Sequence, residues 1–398
     1  MRLSHLYDYK TPVTSINCMT NHFPVSKICD CDPLRRTYTS TYLPNNSAMV
    51  EVHPAIIQDV EHRPKLTKIK GEGIPVIDLS TLNSADTSTD AELASLVAEI
   101  RNACKKWGFF QVINHGVSLE CREKMELASR KFFALPKEEK IKVKRNELNF
   151  MGYYDTELTK KIRDWKEVFD FTVEKTTTVP LSQDPNDKEV REFHNQWPEY
   201  PPELREVCEE YIQEVHKLAY KLAELISLSL GLPAKRLNGF FEDQVIFARL
   251  NHYPPCPIPH LALGVGGHKD AGLFTILVQD DTGGLEIKRK TDGEWIGVKP
   301  TPNAYIVNLG DATQVYSNGE YESVEHRVVL NTERARFSIP FFVNPSHCTW
   351  IEPLEEMVNE KNPAKYKAYN WGMLFTHRRR SDPKTRDEEN LQLDHFKV

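Results

Sequence analysis

Two imidazoles and a carboxylate can do chemistry in this chain: His268 and Asp270, separated by Lys269, and the distant His326. In a strand, side chains at i and i+2 leave the same face, so His268 and Asp270 can grip one ion together. With His326 they make the facial set of two histidines and one carboxylate, which leaves half of an octahedral ferrous ion open to other ligands. Arg336 and Ser338 follow at the same i, i+2 spacing. On a strand they form an end-stop for a carboxylate, because a guanidinium binds carboxylates bidentately. These residues point to an iron enzyme with a dicarboxylate co-substrate. His-x-Asp alone is a weak signal in a chain with 14 histidines, so the ordered set carries the inference.

The bulk of the chain is consistent with such an enzyme. With 398 residues, 40% hydrophobic and 27% charged, it can bury a large core as an ordinary globular protein. A net charge of −6 and the lack of a basic stripe argue against nucleic acid as a partner, and no apolar run is long enough for a membrane span. The eight cysteines are scattered, without C-x-x-C pairs, which suggests reduced thiols and a cytoplasmic location.

The positioning elements are legible as a helical and mixed first half and a β-rich second half. Residues 1–48, rich in Ser, Thr, Tyr and Asn without a hydrophobic period, read as a disordered extension. Residues 49–230 read as a mixed α/β region. Ile74–Leu79 is a short apolar strand, and Thr89-Asp90-Ala91-Glu92 is a capping box opening a helix that Gly108 ends. Phe109–His115 is a buried strand, Leu119–Phe133 a helix, and Pro202–Leu230 a long amphipathic helix. In residues 231–398, from Val245 onward, turn signals such as Asp281-Thr282-Gly283-Gly284 and Asn318-Gly319 separate about eight short strands, suggesting a sandwich or jelly roll. A helix over Pro363–Phe375 closes the fold.

Residues 70–398 resemble the plant 2-oxoglutarate- and iron(II)-dependent dioxygenases, the group containing flavonol synthase, anthocyanidin synthase and gibberellin oxidases. The resemblance lies in Ile74–Leu79, Trp107-Gly108-Phe109-Phe110, Asn114-His115-Gly116-Val117, Asn251–Pro257, His268-Lys269-Asp270, Gly283-Gly284-Leu285, His326-Arg327 and Arg336-Phe337-Ser338. It implies a mainly β fold with flanking helices: a double-stranded β-helix (cupin-like jelly roll) behind a mixed α/β N-terminal region. It also implies Fe(II) on His268, Asp270 and His326, with Arg336 and Ser338 on the distal carboxylate of 2-oxoglutarate, aided by Tyr253 and Asn251. The implied reaction consumes O2, releases succinate and CO2, and hydroxylates, desaturates or demethylates a small specialised metabolite or hormone, with ascorbate as reductant. The resemblance leans towards a monomer. Lys269, where threonine is usual, should point away from the metal.

Substrate contacts are expected among Trp165, Val168, Asp170, Arg249, Phe341 and Phe342. Asp170 could pair with a basic amine, and Arg249 could meet a polar substrate group or form a salt bridge at the barrel rim. Consecutive strand residues alternate, so the other reading of Phe341 and Phe342 is a division between core and surface, with Phe342 the somewhat better contact candidate, while Trp107, Phe109 and Phe110 belong to the core. Three other functions fit parts of the pattern: an ascorbate-dependent aminocyclopropane-carboxylate oxidase, a non-catalytic metabolite sensor on the same fold, and a zinc hydrolase. The last gives Arg336 and Ser338 no role.

Overall fold

In the computed structural model, residues 53–65, 73–83, 89–146, 149–172, 176–180, 189–241, 247–379 and 391–398 are described. The expected extension over residues 1–48 lies outside them. The first strand, β1 (Val76–Asp78), precedes helix α1 (Asp90–Lys106). Thr89 and Glu92 close the predicted capping box on the N-terminus of α1. At its other end Gly108 sits at φ +64°, and a Cβ there would stand 2.6 Å from the Glu322 carbonyl. Only glycine makes that turn at no cost. Strand β2 (Phe109–Ile113) and helix α2 (Leu119–Phe133) follow, the latter with the bounds read from the sequence. Next come β3 (Gly152–Tyr154), β4 (Glu167–Thr172) and the long helix α3 (Leu204–Ser229).

Helix α3 spans roughly 40 Å at 1.5 Å per residue. It buries Leu204, Tyr211, Val215, Leu218, Leu222 and Leu225 along one stripe in the main core, which also takes in residues of α1 and α2. Eight strands then build the barrel: β5 (Phe247–Tyr253), β6 (Val265–His268), β7 (Phe274–Gln279), β8 (Leu285–Lys288), β9 (Trp295–Gly297), β10 (Tyr305–Leu309), β11 (His326–Val328) and β12 (Arg336–Val343). The major sheet runs β1-β2-β10-β7-β12-β5-β4-β3 and the minor sheet β6-β11-β8-β9. These two sheets make the jelly roll. The major sheet joins strands from both halves of the chain.

The closing helix α4 (Trp371–Arg379) starts later than predicted. Tyr369 and Asn370 pair with Ile351 and Trp350, and Tyr366 bridges to Lys397, so residues before Trp371 hydrogen-bond sideways instead of along a helix. The Trp371 indole then donates to the Ala271 carbonyl at 3.1 Å, bracing the turn after Asp270. Among the described residues, no helix is long and apolar enough to cross a membrane.

Candidate metal and co-substrate site

His268 and His326 face each other across the antiparallel pair β6–β11. Their Nε2 atoms stand 3.7 and 3.8 Å from Asp270 Oδ1, and one ligand atom from each residue lies within 4.8 Å of the others. Asp270 reaches this position differently from the strand argument. β6 ends at His268, and Asp270 sits in the following turn, where its carbonyl accepts the Asp311 N–H at 2.8 Å. Lys269 is exposed, as expected.

Each donor atom is oriented from behind. His268 Nδ1 donates to the Gly266 carbonyl at 2.9 Å and His326 Nδ1 to the Val324 carbonyl at 3.1 Å. A carbonyl can only accept, so the proton is on Nδ1 and the Nε2 lone pair is free for a metal. Phe109, fully buried, meets the His326 ring edge-on at 5.3 Å. Asp270 Oδ2 accepts from Thr275 Oγ1 at 2.6 Å and Asn308 Nδ2 at 2.8 Å, which leaves Oδ1 for the ion. Burial, and then the neighbouring His326, push His268 down to about 4, so its ring is neutral at pH 7. Burial opposes ionisation of Asp270, but the positive charge that His326 and His268 carry when protonated at low pH, then the hydrogen bonds from Thr275 and Asn308, outweigh it and hold the carboxyl below the usual range. Two imidazole nitrogens and a carboxylate oxygen are a donor set that suits Fe(II).

The second half of the site is on the major sheet. Arg336 pairs with Tyr253, and Ser338 with Asn251 on one side and Gln279 on the other. Arg336 donates to Ser338 Oγ and to Gln279 Oε1, both at 3.0 Å, and its guanidinium lies 4.9 Å above the Tyr253 ring centre. A Cβ at Gly264 would come within 2.6 Å of that ring, so the glycine makes room for Tyr253. Arg336 Nε, Gln279 Nε2 and Asn251 Oδ1 are buried without a protein hydrogen-bond partner. Each such group costs about 1–3 kcal/mol unless a ligand satisfies it. A carboxylate would take the two donors, so these residues fit the distal end of 2-oxoglutarate.

Sequence reasoning missed Thr275, Asn308 and Gln279. Among the substrate candidates it set only Phe342 slightly ahead. Phe342 shares the face of Arg336 and Ser338 and stacks on Phe247 at 4.6 Å, whereas Phe341 points to the opposite face, fully buried in the main core. Phe341 is therefore not a pocket residue. Val168 lies opposite Asn251 and shares its face. Trp165 donates to the Pro254 carbonyl and packs against the cluster of Ile56, Cys256 and Ile258. Asp170 is fully buried and bound by Arg249, so it has no open oxygen face for an amine. Arg249 is itself buried and commits its guanidinium to salt bridges with Asp170 and Glu157, the second of its two expected roles.

Relatives decide the family. Residues 74–200 match the region described as non-haem dioxygenase in morphine synthesis N-terminal, and residues 244–345 the 2OG-Fe(II) oxygenase superfamily. Protein DMR6-LIKE OXYGENASE 2 of Arabidopsis thaliana is 37% identical over 80% of this chain and 87% of its own length. The chain belongs to the 2OG-Fe(II) oxygenase family. Jasmonate-induced oxygenase 2 of the same plant is 38% identical over 74% of this chain and 76% of that protein. The crystal structure of JOX2 in complex with 2OG, Fe and JA superposes with a TM-score of 0.69 and 34% identity, covering 83% of this chain and 90% of that one. This oxygenase is thus a 2-oxoglutarate-dependent oxidoreductase with a jelly-roll core.

Proposed function

We propose that this oxygenase oxidises a small plant hormone or specialised metabolite, with His268, Asp270 and His326 holding Fe(II). In the same reading Arg336, Ser338, Tyr253 and Asn251, joined by Gln279, hold 2-oxoglutarate. The bound iron would supply oxidative decarboxylation of 2-oxoglutarate with O2, giving succinate and CO2 and oxidising the organic substrate, with ascorbate as reductant. The protein's part is to offer Nε2 of two histidines, to leave Asp270 Oδ1 open by holding Oδ2 with Thr275 and Asn308, and to anchor the far carboxylate. The observation that carries this reading is the convergence of the three ligand atoms, together with a buried arginine N–H left unsatisfied on the other sheet of the barrel. Phe342, Val168 and Phe247 would form the apolar wall of the substrate space. Residues 49–230 would serve as its supporting region and 231–398 as its catalytic part, in a cytoplasmic monomer.

The test is succinate release from 2-oxoglutarate by Fe(II)-loaded protein in air, with fractions of a plant extract and His268→Ala as control. Release that rises with one fraction and is absent in the variant supports the reading. Substrate turnover that needs ascorbate but not 2-oxoglutarate would move the enzyme to the aminocyclopropane-carboxylate oxidase reaction.

Asn308→Ala is expected to weaken Fe(II) binding by about 10- to 100-fold, the range for partners that orient a ligand. An anaerobic Fe(II) titration checks this, and an affinity unchanged from the native protein would remove Asn308 from the site.

A further inference from the structure

Beyond Asn251, on the same face of β5, the next inward residue is Arg249, and Asp170 of β4 lies directly opposite it. Arg249 is fully occupied by protein. Its Nε and Nη2 donate to Asp170 at 2.6 and 2.8 Å, and its Nη1 and Nη2 donate to Glu157 at 2.7 and 2.9 Å. A guanidinium has five N–H donors, and these four bonds leave almost nothing for a ligand. Arg145 reaches both carboxylates, at 3.3 Å to Glu157 and 3.5 Å to Asp170, and Lys166 joins Glu157 at 2.7 Å and Asp164 at 3.4 Å. Three cations thus face three carboxylates in a largely buried network of balanced charge. Arg249, Lys166 and Arg145 overcome burial and hold Glu157 well below the usual carboxylate range, consistent with a closed network.

The neighbouring side chains on this inward face of the sheet are apolar. Val168 is fully buried opposite Asn251, and Phe342 stacks on Phe247. A carboxylate entering here would lose its water shell and find Arg249 already shared between two anions. A substrate amine would find Asp170 taken in the same way. Burying an unpaired charge is far costlier than burying a hydroxyl or carbonyl.

We infer that the substrate space accepts an uncharged, largely apolar molecule and discriminates against free carboxylates and amines, with the Arg249–Asp170–Glu157 network as the determinant. This rests on the oxygenase reading above and adds the substrate's charge class. Asp170 acts as the specificity residue, by neutralising the arginine that would otherwise recruit an anion.

The experiment compares phenylacetate with its neutral isostere phenylacetamide. Binding is read as the change each causes in the visible absorption of the anaerobic Fe(II)–2-oxoglutarate complex of the full-length protein. The native enzyme is expected to bind the amide at least as tightly as the acid. Asp170→Asn keeps the side-chain shape but releases part of Arg249, and is expected to tighten phenylacetate at least ten-fold relative to phenylacetamide. A native preference for the acid, or an acid-to-amide ratio unchanged in Asp170→Asn, overturns the inference. If Asp170→Asn does not melt cooperatively, Glu157→Gln relieves the same arginine from its other side and is read the same way. Failure of the oxygenase reading would show earlier, as absence of the Fe(II)–2-oxoglutarate absorption before any probe is added.

Discussion

Asp270→Ala is expected to abolish Fe(II) binding and succinate release together. Asp270 Oδ1 is the only anionic donor among the three converging groups, at 3.7 Å from His268 Nε2 and 3.8 Å from His326 Nε2. Removing it leaves two imidazoles, which hold a ferrous ion at neither the charge nor the coordination number of the native set. Residues that merely orient a ligand are worth about 10- to 100-fold in metal affinity, so loss of a ligand should exceed 100-fold. Truncation also strips Thr275 Oγ1 and Asn308 Nδ2 of their shared acceptor, at a cost of about 1–3 kcal/mol for each donor left dry. The fold should survive, because the turn is held by backbone: Asp311 N–H on the Asp270 carbonyl and the Trp371 indole on Ala271. Anaerobic Fe(II) titration with circular dichroism separates the two effects. A variant that keeps native affinity for iron would show that Asp270 is not a ligand.

The parts of this site that were legible in the sequence are those whose chemistry is unusual for their position. Two histidines, an acid and an Arg-x-Ser in that order suit few chemistries besides an iron centre with a carboxylate co-substrate. The short strands around them carry clear turn signals. The i, i+2 pattern reached Asp270 by a route the structure alters, since its strand ends at His268 and a turn brings the carboxylate back. Thr275, Asn308 and Gln279 were invisible for a physical reason. Thr275 and Asn308 are partners across β7–β10, and Gln279 and Ser338 across β7–β12, so their roles depend on register between distant segments. Register also decided Arg249, whose partner Asp170 is set by the β4–β5 pairing. The choice between Phe341 and Phe342 is different. Once Arg336 and Ser338 are taken as inward, strict alternation along β12 already puts Phe342 inward and Phe341 in the core. That signal was present in the sequence.

The same alternation underlies the second large effect. Arg336→Lys keeps the charge at the far end of the co-substrate pocket but removes the planar fork. In the native protein Nη1 is held by Ser338 and Nη2 by Gln279, each at 3.0 Å, so the guanidinium is fixed before any ligand arrives. Its Nε is left buried without a protein partner. Lysine offers a flexible point charge that cannot reproduce two parallel bonds to a carboxylate. A hydrogen bond to a charged group is worth about 1.5–3 kcal/mol, and 1.4 kcal/mol is a factor of ten, so KM for 2-oxoglutarate should rise by about 10- to 100-fold. At saturating 2-oxoglutarate kcat should fall much less, because the distal carboxylate is equally bound before and after the chemical step and contributes uniform binding. Iron affinity measured without 2-oxoglutarate should stay native, since Arg336 lies on the sheet opposite the two histidines. Initial rates of succinate release across a 2-oxoglutarate series check the split. An unchanged KM in Arg336→Lys would mean that the carboxylate end-stop lies elsewhere.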